Sequence, residues 1–237
     1  MFGLFSRSKS LIDSSLLKGA VDNHSHILPG LDDGVKERED SLQILDFLAE
    51  QGVSEVWFTP HVMEDVPNTT EGLRAAFETF CAGYDGPLRL HLAAEYMLDN
   101  LFRERLKNKD FLLHGEDRVL VETSVVAPPL DLEEMLSELM SAGFRPLLAH
   151  PERYAYMRPG DYARFHEKGI LFQLNLPSLV GTYGPEAAAR AEDLLKRGWY
   201  CMAGSDCHRQ RRIRQQYSAP VLKKKTLAAL APIMQGL

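Results

Sequence analysis

Short apolar runs alternate with amphipathic stretches about seven times along the chain, and this alternation limits the fold more than any other feature. The intervening stretches, such as EREDSLQILDFLAEQ and EAAARAEDLLKR, carry apolar residues at helical spacing. A repeated strand-then-helix order predicts a parallel sheet covered by helices. The predicted strands are 20–24, 53–59, 88–94, 119–122, 146–150, 170–174 and 200–204.

One closed or nearly closed β/α barrel is the arrangement that we predict from this order, and an open doubly wound sheet is the alternative. A chain of 237 residues is long enough for a single α/β barrel. We expect residues 1–18 to form an N-terminal extension and residues 19–237 to form one domain. The opening MFGLFSRSKS is expected to be a loose tail, with a minor surface anchor as the alternative.

Charge and cysteine content restrict the partners and the compartment. The formal net charge of −6 argues against a general nucleic-acid binder. The three cysteines are odd in number and lack CxxC spacing, so we expect a reducing, cytoplasmic environment and no disulfide framework. No apolar run approaches the roughly 20 residues of a membrane span, so we expect no stable membrane insertion.

Residue types that bind metal ions follow nearly every predicted strand, where a parallel barrel directs side chains onto one face. His24 and His26 end the first strand, and residues two apart on a strand point to the same side. Asp33, in the loop after them, can return to the same face. The other candidates are His61, Glu95, Glu122, His150, Asp206 and His208, which end the second, third, fourth, fifth and last strands. The sixth strand supplies none.

Each of these residues has an ordinary explanation when taken alone. An HxH pair in a loop is often exposed, His61 or His150 could be a core histidine bonded to backbone, and Glu122 could be a simple strand-end charge. Against this, five of the eight histidines lie at predicted strand ends. We expect the other three to be structural or exposed; they are His91, which we place within its sheet, His114 and His166.

The donor types limit the metal. They are imidazoles and carboxylates without thiolate, because Cys207 lies between two candidates and should point the other way. Such a set suits zinc, manganese or iron. Nine candidates are too many for one ion, so we expect two or three ions that share carboxylates.

Six motifs together resemble the polymerase-and-histidinol-phosphatase (PHP) superfamily: DNHSHILPGLDDG, TPH, AAEY, VETS, AHPERY and GSDCH. They are most similar to bacterial PHP-type protein-tyrosine phosphatases of capsule and exopolysaccharide loci. The resemblance runs from about residue 20 to 208 and implies a distorted seven-stranded β/α barrel with three metal ions. The implied ligands are His24, His26, Glu95 and Asp206 for the first ion, Glu95, Glu122 and His150 for the second, and Asp33, His61 and His208 for the third.

The resemblance also implies two arginines that bind substrate phosphate. Arg153, in HPERY, matches the first of them. The second should follow the SDCH motif, but simple counting reaches Ile213, so Arg209, Arg212 and Arg214 compete for this role. We favour Arg212 or Arg214. Arg209 and Arg211 are interpreted as surface charge. His208 is a candidate catalytic group as well as a ligand.

The implied reaction is hydrolysis of phosphotyrosine on a protein, with metal-activated water as the nucleophile. Manganese is the expected metal, with iron or zinc as alternatives. The implied partner is the tyrosine-rich tail of a membrane-linked bacterial tyrosine kinase.

Several other functions stay open. A histidinol-phosphate phosphatase or an exonuclease of the same superfamily would use nearly the same ligands, and the acidic charge disfavours the nuclease. A non-catalytic scaffold that docks a kinase and a metal-dependent amidohydrolase are further alternatives. A cysteine-based tyrosine phosphatase is rejected, because it needs an arginine six residues after its nucleophile. The residues at that distance are Pro87, Cys207 and Ile213.

Overall fold

A computed structural model describes residues 8–66 and 68–235 of the chain. The strands in these residues are β1 (Val21–Asp22), β2 (Glu55–Phe58), β3 (His61–Val62), β4 (Arg89–Leu92), β5 (Glu95–Met97), β6 (Arg118–Glu122), β7 (Arg145–Ala149), β8 (Leu171–Asn175) and β9 (Tyr200–Gly204). The α-helices are α1 (Arg38–Glu50), α2 (Thr70–Ala82), α3 (Phe102–Asn108), α4 (Leu132–Ser141), α5 (Pro159–Glu167), α6 (Leu176–Leu179), α7 (Pro185–Arg197), α8 (Gln210–Tyr217) and α9 (Lys224–Leu230). Each of the seven predicted strands overlaps an observed strand.

Every strand pair is parallel, which confirms the α/β class with parallel sheets. The strands lie in two sheets, of which one contains β1, β2 and β4 and the other runs in the order β3, β5, β6, β7, β8 and β9. A single closed sheet of seven strands, as the sequence predicted, is not formed by the described residues.

The division into two sheets begins at Pro60. β2 ends at Phe58 and β3 begins at His61, outside the predicted strand 53–59, because the proline between them has no backbone N–H to donate to the ladder. The register does not change across the break, since Phe58 pairs with Leu92 on one side and His61 pairs with Glu95 on the other. The interruption therefore keeps His61 level with Glu95 on the neighbouring strand.

The chain just after β1 lies beside the chain just after β9. The Asp206 N–H donates to the His24 carbonyl at 2.8 Å, and the His26 N–H donates to the Cys207 carbonyl at 2.9 Å. These bonds place the first and last of the sequence motifs side by side.

The helices cover the sheets with apolar faces, and α7 shows why such a sequence folds this way. It begins at Pro185, whose missing N–H costs nothing at a first helical position. Ala187, Ala191 and Leu194 recur along one face and are buried. The helix ends at Arg197 and is capped by Gly198, whose φ of 70° lies in the left-handed region that glycine adopts without strain.

Part of the predicted N-terminal extension packs against the rest of the chain. Lys9 forms an antiparallel bridge with Leu222, and the side chains of Leu11 and Leu17 are buried in the core. Residues 1–7, which include most of the predicted tail, lie outside the described residues. Among the helices that the structure describes, none has both the length and the apolar character to cross a bilayer.

The three histidines away from strand ends are structural or exposed, as predicted. His114 is buried, stacks on Trp57 with ring centroids 4.0 Å apart, and has a pKa that burial lowers to about 3. His91 lies on β4 and stacks on the same indole, and His166 is exposed and stacks on Trp199.

Candidate metal centre

The structure brings the nine predicted ligands together at one end of the sheets. Most lie at or just after the carboxyl ends of strands, where parallel β/α folds direct functional side chains. His61 and Glu95, which were predicted to end strands, instead follow β2 and β4 and are the first residues of the short strands β3 and β5. Donor atoms of eight of the nine ligands form three overlapping groups, and the ninth, His150, contacts Glu95 beside these groups. The first cluster is His24, His26 and Asp206, the second cluster is His61, Glu95 and Glu122, and the third cluster is Asp33, His26, His61 and His208.

The first cluster joins the chain after β1 to the chain after β9. The Nε2 atoms of His24 and His26 lie 3.0 Å apart, and each lies 3.3 Å from Glu95 Oε2. Asp206 Oδ1 lies 3.7 Å from His24 Nε2 and 3.5 Å from His26 Nε2. Four donor atoms thus face a common point, with Glu95 linking this cluster to the second.

The second cluster contains buried donor atoms without hydrogen-bond partners among the described residues. These atoms are His61 Nδ1, Glu95 Oε2 and Glu122 Oε1. His61 Nδ1 lies 3.1 Å from the first oxygen and 3.0 Å from the second, without the geometry of a hydrogen bond. His150 Nε2 lies 3.0 Å from Glu95 Oε1. Buried polar atoms normally have partners, so this arrangement fits a bound cation.

The third cluster lies at the mouth of the site. His61 Nε2 and His208 Nε2 lie 3.5 and 3.3 Å from the same atom, Asp33 Oδ1. The side chain of Asp33 is 71% exposed, so this cluster is the one that solvent reaches most easily.

The buried imidazoles and carboxylates of the site shift one another's pKa values toward their charged forms. Burial alone would lower the pKa of His24, but the carboxylates of Glu95 and Asp206 outweigh burial and raise it to about 9. Burial alone would raise the pKa of Glu95, but the surrounding imidazoles, led by His24, hold it well below its usual range. The buried carboxylates therefore require positive charge beside them, which protons or metal cations supply.

Two of the nine side chains come from backbone positions that ordinary residues rarely adopt. His150 has a φ of 35° and Asp206 has a φ of 49°. Such conformations cost about 1–3 kcal/mol each and persist where the surrounding structure enforces them, often at functional sites. His150 directly follows β7 and Asp206 lies two residues after β9, so in both cases a turn after the strand directs the side chain into the site.

Asp32 supports two of the imidazoles, a role that the sequence interpretation missed. Its Oδ2 lies 2.8 Å from His26 Nδ1 and accepts the His61 backbone N–H at 3.0 Å. A carboxylate on one ring nitrogen orients the other nitrogen toward a metal. The signal that could have indicated this role is the second carboxylate of the DDG sequence, beside Asp33.

A pocket of about 250 Å³ opens over the clusters. Its lining residues are Asp33, His61, Glu95, Glu122, His150, Arg153, Tyr183, Asp206, His208, Arg209 and Arg212. Arg153 Nη1 donates to Asp206 Oδ2 at 2.8 Å, and its guanidinium lies 4.3 Å from the ring centre of Tyr183. Tyr183 was not singled out from the sequence, since it lies in a loop without a motif.

The arginines after the SDCH motif separate into two groups. Arg209 and Arg212 line the pocket, so Arg209 is more than the surface charge that the sequence favours for it. Arg214 lies elsewhere, with its guanidinium 4.4 Å from the ring centre of Phe47. The structure therefore places one of the two favoured candidates for the phosphate-binding arginine, Arg212, beside the clusters.

A family model described as capsular polysaccharide synthesis, CpsB/CapC, matches residues 20–230, a span that contains all nine candidate ligands. The chain belongs to the CpsB/CapC family. The resemblance that the sequence motifs indicated is thereby confirmed at the level of a named family.

Two curated members of related sequence carry the same kind of name. The tyrosine-protein phosphatase YwqE of Bacillus subtilis is 28% identical over 214 residues, which cover 86% of this chain and 84% of that protein. The tyrosine-protein phosphatase CpsB of Streptococcus pneumoniae is 28% identical over 204 residues, which cover 79% of this chain and 82% of that protein.

Solved structures share the fold of this CpsB/CapC-family chain. One comes from work on YwqE of Bacillus subtilis and CpsB of Streptococcus pneumoniae, described there as metal-dependent tyrosine phosphatases. It superposes with a TM-score of 0.75 at 24% identity and covers 92% of this chain and 96% of its own. The lactonase Lmo2620 of Listeria monocytogenes superposes with a TM-score of 0.52 at 11% identity and covers 93% of this chain and 88% of its own.

Gly204→Ala is expected to weaken metal binding by at least about tenfold, an effect of the size seen when the support of a ligand is lost. A Cβ at Gly204 would lie 2.4 Å from the His24 Cβ and 2.8 Å from the His24 nitrogen, so the ligand must move. Titration of Mn²⁺ into the metal-free protein measures the affinity. Gly160→Ala, where the Cβ meets nothing within 4 Å, is the matched control. Equal affinity in both variants would contradict the assignment of His24 as a ligand.

Proposed function

We propose that the chain is a metal-dependent phosphatase that hydrolyses phosphotyrosine on proteins. The observation that carries this proposal is the position of Arg153 and Arg212 in the same pocket as three clusters of metal-type donors. Cations and guanidinium groups around one cavity match the charge of a phosphoryl group. The names of YwqE and CpsB, both tyrosine-protein phosphatases, support the same activity.

Two or three ions are proposed for the three clusters, with manganese as the expected metal and iron or zinc as alternatives. The donors are nitrogen and oxygen only, since the Cys207 thiol points to the Arg209 carbonyl rather than into the site. When bound, such ions act as Lewis acids that activate water and neutralise charge on phosphoryl oxygens. The ligand division implied by the motifs is supported in part by the geometry. His26 and His61 each belong to two clusters, whereas Glu95 touches the first cluster without belonging to it and His150 belongs to none but contacts Glu95.

Arg153 and Arg212 are proposed to bind the phosphate of the substrate. A guanidinium has five N–H donors, and Arg153 donates one of them to Asp206 Oδ2. Its remaining donors are available to a phosphate in the pocket. Planar guanidinium groups can make paired hydrogen bonds to phosphate oxygens, which stabilises the charge of the transition state.

An aryl phosphate suits a site of this kind. The phenolate of tyrosine has a conjugate-acid pKa of about 10, so it leaves more readily than the alkoxide of serine. A strong general acid is therefore not required. His208, which lines the pocket with its side chain 22% exposed, is the proposed proton source where one is needed, in the state in which its Nε2 holds no ion.

The natural substrate is proposed to be the tyrosine-rich tail of a membrane-linked tyrosine kinase in the cytoplasm, with no nucleic-acid partner. The catalytic unit is proposed to comprise residues 19–237, with residues 1–18 as an extension and the strands forming one distorted seven-stranded barrel. The family match over residues 20–230 supports this boundary. The hydrogen bonds of His24 and His26 to the chain after β9 support the closure of the barrel.

Chelation is expected to abolish hydrolysis of a tyrosine-phosphorylated peptide, and addition of Mn²⁺ is expected to restore it. Alkylation of thiols should leave the activity intact, because burial raises the pKa of Cys201 to about 11 and raises that of Cys207 further still. Neither is a thiolate at neutral pH. Loss of activity on alkylation together with resistance to chelation would overturn the proposal. Faster turnover of histidinol phosphate than of the peptide would favour the small-molecule alternative.

Arg212→Ala is expected to lower kcat/KM on a tyrosine-phosphorylated peptide on the order of 100-fold, because a charged donor to the transition state is removed. Arg214→Ala is the matched control. It should change kcat/KM by no more than about threefold, since that side chain stacks on Phe47 outside the pocket. If the two variants lose activity equally, the assignment of the second phosphate-binding arginine to Arg212 is wrong.

A further inference from the structure

The strand β8 supplies no metal ligand, yet two of its amide side chains contact ligands of the first cluster. We infer that Gln173 and Asn175 are positioning residues, which fix the orientations of His24 and Asp206. The inference rests on the proposed function, because it concerns how the metal site is held. Residues two apart on a strand share a face, and both amides are buried, with 1% and 3% of their surface exposed.

Gln173 determines which nitrogen of His24 faces the site. Its Nε2 donates to the Asn23 carbonyl at 3.1 Å, and a carbonyl can only accept. The Gln173 Oε1 is therefore directed at His24 Nδ1, which lies 2.6 Å away. An amide oxygen also only accepts, so the proton must be on Nδ1. The lone pair of His24 Nε2 is thereby left for the first cluster.

Asn175 occupies one oxygen of Asp206. Its Nδ2 donates to Asp206 Oδ2 at 2.7 Å, and Arg153 donates to the same oxygen. The Tyr183 hydroxyl is a third and longer donor to this oxygen, at 3.5 Å. These donors on Oδ2 leave Oδ1 to face His24 and His26. This contact also holds the side chain of a residue whose φ of 49° makes its backbone strained.

The position of Asn175 is itself fixed from behind. Its backbone N–H donates to Glu152 Oε1 at 3.0 Å, and Glu152 is fully buried. The Asn175 Oδ1 is buried without a partner among the described residues. The Asn175 amide therefore donates a hydrogen bond to Asp206 while its own oxygen accepts none among the described residues. This is expected of a group whose role is to orient a ligand.

The two imidazoles of the HxH motif thus have different supports. His26 Nδ1 faces a carboxylate, Asp32, and His24 Nδ1 faces a neutral amide. Contacts of this kind behind a metal ligand change metal affinity by roughly 10- to 100-fold when they are removed. A residue that only fills space on β8 would have no such effect.

Titration of Mn²⁺ into metal-free Gln173→Met and Asn175→Leu tests the inference. Both substitutions approximately keep the side-chain volume. Gln173→Met removes the oxygen that faces His24 Nδ1, and Asn175→Leu removes the N–H group that donates to Asp206 Oδ2. Each variant is expected to bind its weakest-held Mn²⁺ roughly 10- to 100-fold less tightly than the wild type. Phosphatase activity should recover as Mn²⁺ is raised, which a packing defect would not do. Gln216→Met, a half-buried glutamine on α8, is the matched control.

Thermal unfolding in the presence of a chelator checks that each variant folds. If one of the two variants does not fold, the Mn²⁺ affinity of the other tests the inference. Affinity equal to the wild type in the folded variants would overturn the inference while leaving the proposed function intact. A wild-type protein that binds no Mn²⁺, Fe²⁺ or Zn²⁺ would instead overturn the proposed function itself.

Discussion

The contacts of one buried carboxylate connect all parts of this site. Glu95 has no exposed surface, and its oxygens lie within 3.3 Å of nitrogens of His24, His26, His61 and His150. A carboxylate so far from water is costly unless positive charge lies beside it. The chain after β1, the chain after β7 and the starts of β3 and β5 must therefore meet at one place, and the clusters are arranged around that requirement.

Around this centre lies a second set of side chains that do not face the cavity. Asp32 holds His26, Gln173 holds His24, and Asn175 holds Asp206. Asp32 lies in the loop after β1, whereas Gln173 and Asn175 lie on β8. Side chains from both places thus serve the same purpose, which is to orient the ligand atoms before any cation binds. Precision of this kind is what a multinuclear hydrolytic site needs.

Much of the site could be predicted from sequence because strand geometry is regular. The two-residue spacing of His24 and His26 and the common end of parallel strands were enough to group the ligands. The partner of Gln173 lies 149 residues away, and an amide on a buried strand has no spacing pattern to reveal it. The choice between Arg212 and Arg214 required the position of α8, and the break between the two sheets depended on the single residue Pro60.

Anomalous scattering from crystals grown with Mn²⁺ tests the central claim most directly. The account predicts at least two manganese peaks in contact with the nine side chains. Glu95 is expected to contact two of these peaks. Peaks elsewhere on the protein, or no peak beside Glu95 in a crystal of active enzyme, would contradict it.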